Sequence, residues 1–293
     1  MGFTEAVLAV AASVSGFLEE VEGICRMVCG DHLVSIRQFG SVTDGQYKLG
    51  ISDIDFIVLV TDDCPPETMD KLRSELVRLE TKHNVAGLRQ VSAVQRVIAS
   101  RTALFKSHFV FHRSTLETQQ YSRLLEEAET FNLSGGLHLQ SLLRIILPWR
   151  LVLANVVSQS QLVFGEDKLD SYEPLVPWRT EAAKAFLVAL SMSLLGLVQS
   201  LVSGDGTRLS LEATKWFLID VNSCLKRRRV NLESSLESFR SFGTAVFLDR
   251  FMKLRNRYYS DRLFSMYCPL YLCYLQVRVA WRKAFPASRA FQA

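Results

Sequence analysis

The chain has 293 residues, 48% of them hydrophobic and 22% charged, with a formal net charge of +4. That balance excludes a disordered or low-complexity scaffold, and the length suffices for about two domains with cores that need neither disulfides nor structural metal. The six cysteines form no CxxC pair and have no histidine at zinc-site spacing, so reduced thiols in a cytoplasmic protein are expected.

Residues 3–29 repeat apolar side chains at three- and four-residue spacing, a helix that Gly30-Asp31 ends. Glu5 and the lack of basic residues before it argue against a secretory leader, and Ala6 against myristoylation. Residues 33–39 alternate as a strand, Gly40 to Ser52 form a loop, and residues 54–60 (IDFIVLV) read as a central strand. Cys64-Pro65-Pro66 turns the chain into an amphipathic helix over 67–83, and residues 91–99 and 107–112 supply two more strands.

From Leu116 the period is helical, broken at Ser134-Gly135-Gly136 and resumed over 137–159. The segment QLVFGEDKLDSYEPLVPW then interrupts it with a short strand, acids and prolines at 174 and 177. Helices are predicted over 180–203, 209–228, 236–257 and 261–285. Ala185 to Gly204 lack charge and are long enough to span a bilayer, but serines and Gln199 interrupt them. The expectation is a helix buried on all sides in a bundle, with no membrane partner.

Charge is distributed unevenly. Residues 221–293 hold 14 Lys/Arg, including Lys226, Arg227, Arg228 and Arg229, against four acids, a balance of +10. The other residues, with 20 bases and 26 acids, carry −6. A solvated basic surface and a wall facing an anionic ligand, triphosphate or nucleic acid, both fit.

The chemistry sits in Phe39-Gly40-Ser41, an eleven-residue gap, and Asp53-Ile54-Asp55-Phe56. Residues i and i+2 of a strand share a face, so Asp53 and Asp55 project together. Adjacent carboxylates repel unless a cation lies between them, and Mg²⁺ prefers oxygen ligands shared with substrate phosphates. Such a pair can hold two ions about 4 Å apart, the arrangement that serves nucleotidyl transfer. Gly40 lets the backbone approach phosphate oxygens, and Ser41 adds a hydroxyl and an N–H.

These residues resemble the DNA polymerase beta-like nucleotidyltransferase superfamily, whose motif is h-G-[GS], nine to thirteen residues, then D-x-[DE]. The match covers about residues 30–115. Gln161 to Leu169 (QLVFGEDKL) is similar to a segment of the small-molecule, aminoglycoside adenylyltransferase type, and the helical tail is similar to that type's C-terminal bundle. The resemblance implies an α/β (α+β) nucleotidyltransferase domain with a small mixed sheet over residues 1–170, followed by an all-α bundle over 171–293. It implies Asp53 and Asp55 as catalytic metal ligands for Mg²⁺ or Mn²⁺. Gly40 and Ser41 would bind the phosphates of ATP or another nucleoside triphosphate.

One feature departs from the superfamily, which usually carries a third acid on a later strand. The expected strand, SHFVFH, has none. His108 stands at the matching position, and Glu117 fits if the register differs. A ribonuclease of the HEPN type is poorly supported, since no histidine follows Arg255-Asn256.

The expected activity is Mg²⁺-dependent transfer of a nucleoside monophosphate to a small-molecule hydroxyl acceptor. The +10 balance disfavours a polycationic aminoglycoside and favours an anionic or neutral acceptor. The alternatives are a template-independent RNA end modifier, with nucleic acid gripped by the basic C-terminal domain, and a non-catalytic nucleotide-binding pseudo-enzyme.

Overall fold

A computed structural model describes residues 3–45, 54–83, 107–119, 123, 127, 145–171, 175–202 and 206–284. The expected strand over 91–99 and the break at Ser134-Gly136 lie outside them. The elements in chain order are α1 (Phe3–Cys29), β1 (Leu33–Phe39), β2 (Asp55–Val60), α2 (Pro66–His83), β3 (His108–His112), α3 (Arg113–Glu117), α4 (Trp149–Gln159) and β4 (Gln161–Gly165). They continue with α5 (Trp178–Val202), α6 (Thr207–Lys226), α7 (Leu232–Arg240), α8 (Ala245–Asn256) and α9 (Arg262–Ala284). Two compact units form: Met1–Arg144 with Leu153–Pro174, and Ile145–Val152 with Leu175–Ala293.

The first unit is built on a mixed sheet of order β3-β2-β1-β4. β1 pairs antiparallel with both β2 and β4, and β2 runs parallel to β3. The DFIVLV sequence of β2 is apolar on both faces because both faces are covered. Phe56, Val58 and Val60 point to one side and pack with Phe17 and Val21 of α1 and Leu72 and Leu76 of α2. Ile57 and Leu59 point to the other, with Phe39, Phe111, Leu153 and Val157.

β4 is fastened to β1 by more than its ladder. Arg37 is 2% exposed, and its Nη1 donates to Asp167 at 2.7 Å while its Nε donates to the Ser160 hydroxyl at 2.8 Å. Its Nη2 reaches the Ser160 carbonyl and the carboxylate of Asp170. Ser35 also donates to Asp167, at 2.7 Å. The acids of the GEDKLD segment thus neutralise a guanidinium that the sheet has taken out of water, which a buried charge requires.

The second unit is helical. α5 packs against α6 and α9. Gly206 lies directly on the backbone of Gly196, an approach that a Cβ at either position would block. Two expectations need correction. The helix predicted over 236–257 is two, α7 and α8, parted at Ser241–Thr244, where Gly243 takes a φ of +82°. α5 is not buried on all sides. Ala185, Val188, Ala189, Met192 and Gly196 face inward, whereas Leu187, Leu194, Val198 and Leu201 are exposed. It is long and apolar enough to cross a membrane, but a core helix of a bundle has the same composition.

Candidate functional site

The strand order brings the two halves of the sequence motif together. Phe39 is the register partner of Asp55, so Gly40, the next residue, abuts the Asp55 side chain. Gly40 has a φ of +81°, and a Cβ there would lie 3.2 Å from Asp55 Cγ and overlap its Oδ2. Only glycine combines that backbone with that approach.

The chain then turns tightly. Asp44 N and Thr43 Oγ1 both donate to the Gly40 carbonyl, at 3.1 and 2.9 Å, and Gly45 N donates to the Val42 carbonyl at 3.1 Å. The Ser41 hydroxyl is buried there with no hydrogen-bond partner among the described residues. A buried hydroxyl of that kind carries a desolvation cost until something satisfies it. A carboxylate packed on a glycine backbone, beside an orphaned hydroxyl, offers oxygen donors that suit a hard divalent cation with phosphate. Asp53 lies outside the described residues, and no group of three His, Cys, Asp or Glu side chains assembles among those described.

The face assignments correct the expectation for His108. His108 is the register partner of Phe56, the residue after Asp55, and stacks on its ring at 5.9 Å. It therefore points to the side of α1 and α2, away from Asp55. It is 2% exposed and shares a 2.6 Å hydrogen bond with Glu80 of α2. Glu117 ends α3, beyond the opposite end of β3 from the Asp55 row. Four residues of strand, about 13 Å, separate that end from His108. Neither residue sits beside Asp55.

The residue that does is Ser107, which the sequence reading passed over. Phe56 N donates to the Ser107 carbonyl at 2.8 Å, so Ser107 lies in the Asp55 row, and strand alternation turns its side chain to the Asp55 face. It is 1% exposed, and its hydroxyl has no partner among the described residues. Beyond it on that face stand Phe109 and Phe111. Counting back one residue from a paired His108 would have found it.

No protein-family model matches the chain, and no curated protein sequence matches it. A solved structure does: spectinomycin adenyltransferase AAD(9) from Enterococcus faecialis, with ATP and spectinomycin. The superposition has a TM-score of 0.50 and 11% identity, and covers 89% of this chain and 99% of that one. The fold is that of a nucleotidyltransferase. The likeness extends across both the α+β unit and the helical one, as the resemblance in the sequence implies.

Proposed function

We propose that this chain is a soluble, cytoplasmic nucleotidyltransferase that moves a nucleoside monophosphate from ATP, or another nucleoside triphosphate, to an oxygen of a small-molecule acceptor and releases pyrophosphate. The observation that carries the reading is the closure of Gly40 onto Asp55 at the end of paired strands, in a fold shared with an adenyltransferase captured with ATP and spectinomycin. Asp55, with Asp53 two residues before it, would hold Mg²⁺ or Mn²⁺. When bound, the ion supplies charge neutralisation on the phosphate oxygens and on the departing pyrophosphate.

The chain's own residues have simpler tasks. Gly40 lets the backbone pack directly against the Asp55 carboxylate, and the Ser41 hydroxyl, which has no partner among the described residues, would donate to a phosphate oxygen. The turn hydrogen bonds to the Gly40 carbonyl fix the loop before substrate arrives, so positioning supplies a large part of the rate. Asp55→Asn keeps the shape and removes the charge. It is expected to abolish cation-dependent ATP binding in calorimetry and lower turnover by at least about 10², while unchanged binding would overturn the assignment.

A second reading, RNA end modification, is favoured by Lys226, Arg227 and Arg228, which are exposed together at the end of α6. Labelled ATP offered with small molecules and with oligonucleotides separates the two. Binding without turnover of either would favour the pseudo-enzyme.

A further inference from the structure

The row beside Asp55 carries information about the acceptor. From it we propose that the acceptor oxygen is one already ionised at neutral pH, that of a phosphate monoester, rather than an alcohol. This rests on the nucleotidyl-transfer reading above.

An alcohol becomes a competent nucleophile only as its proton leaves, and a positioned base is worth about 10² to 10⁴ in rate. Immediately before β3 the place beside Asp55 belongs to Ser107, followed on the same face by Phe109 and Phe111 of the strand. On the other side, the register partner of Asp55 is Phe39. A serine hydroxyl donates and accepts hydrogen bonds but does not take up a proton at neutral pH. Among the described residues, His108 and the Glu80 carboxylate bonded to it lie near this end of β3 but on the opposite face of the sheet. The stretch leading into β3 offers no substitute, because residues 81–116 contain no Asp or Glu and six Lys/Arg (Lys82, Arg89, Arg96, Arg101, Lys106, Arg113).

A phosphate monoester removes the requirement. Its second ionisation lies near pH 6, so at pH 7 it presents a lone pair on oxygen with no proton to lose. That oxygen bonds to the α-phosphorus. The bond from the α-phosphorus to the bridging oxygen breaks, pyrophosphate departs with the electron pair, and the product is a phosphoanhydride. A third carboxylate beside Asp55 would repel such an acceptor, whereas the buried, unsatisfied Ser107 hydroxyl can donate to its phosphate. In sequence, residues 81–116 carry a positive balance, in keeping with a dianionic acceptor.

The test offers native protein and Mg–ATP to glycerol 3-phosphate and glucose 1-phosphate, and to glycerol and glucose, reading pyrophosphate release and adduct mass. The monoesters should exceed the alcohols by at least about 10². Ser107→Asp should lower monoester turnover at least tenfold and tighten nucleotide-free Mn²⁺ binding about tenfold, since it adds a carboxylate to the Asp55 row. If that variant does not fold, Ser107→Cys reads the same place. A sulfur beside the ion should shift the metal preference from Mg²⁺ toward Cd²⁺.

Alcohols used as well as monoesters, or a folded Ser107→Asp with native Mn²⁺ affinity, would overturn the proposal while leaving nucleotidyl transfer standing. Mg–ATP bound but no adduct with any of the four acceptors also counts against it. Failure of the native protein to bind either Mn²⁺ or Mg–ATP would instead remove the transfer reading itself.

Discussion

His108 Nδ1 and Glu80 Oε1 lie 2.6 Å apart on the face of the sheet that Asp55 does not share. Both residues are buried, so Nδ1 and the carboxylate satisfy one another where water does not reach, while His108 Nε2 has no partner among the described residues. His108→Ala therefore removes a structural partner and no base. It should cost on the order of 3 kcal/mol, seen as a lower melting temperature, while turnover per folded molecule changes less than about threefold. The pH–rate profile should keep its shape. A hundredfold fall in turnover at unchanged melting temperature would return His108 to the reaction.

Gly40→Ala tests the Gly40–Asp55 contact on which the proposed site rests. The substitution brings a strained left-handed backbone, worth about 1–3 kcal/mol, and a methyl group that forces the Asp55 carboxylate aside. Cation-dependent ATP affinity should fall at least tenfold in calorimetry. Gly45→Ala, also at positive φ but with open space where the Cβ would go, should lose stability with less effect on ATP.

Asp167→Ala should be among the most destabilising single changes in the first unit. It leaves the Arg37 guanidinium buried with a partner removed, at a cost of about 3–5 kcal/mol. Replacing Arg37 and Asp167 together, by Met and Leu, should recover part of that loss in denaturant titration. Equal losses in the single and double variants would show that the pair holds the edge strand in no special way.

The cysteines give a chemical test of the core. Burial pushes the Cys25 thiol far up; Cys29 rises to about 11, through burial first and then the neighbouring Cys64. Burial likewise raises Cys268 to about 12, despite hydrogen bonds to Thr214 and Ser210. Thiolate is the reactive form, so at pH 8 iodoacetamide should label Cys273, which is half-buried, well before these three. Peptide mass spectrometry after brief exposure checks the order. Rapid labelling of Cys25 in folded protein would contradict the packing of α1.

What was legible in the sequence is the part that depends on local pattern. The alternation over 33–39 and the β-branched run before Thr61 give β1 and β2 within a residue, and the Pro-Pro turn gives the start of α2. Gly40 and Asp55 were legible because an unusual backbone and an acid at a strand end leave a spacing. The face of His108 was not, because it depends on which residue of β2 it pairs with, and a register shift of one residue reverses every side chain. Ser107 carries no chemical signature of its own; only its row makes it conspicuous. Arg37 and Asp167, 130 residues apart, each look like surface charges until the β1–β4 pairing joins them. The split between α7 and α8 was missed because Gly243 alone, inside an amphipathic pattern, is a weak stop signal.

That 130-residue separation sets the order in which the protein can be made. During synthesis β1, β2 and β3 emerge long before β4, and until Asp167 has left the ribosome the Arg37 guanidinium must stay hydrated. The sheet therefore cannot close early, and chains truncated before Gly165 should remain dependent on holding factors. Long-range pairing of this kind slows folding relative to the local helices that follow. The GEDKLD segment, short and unremarkable by composition, thus acts as the latch that ends the waiting.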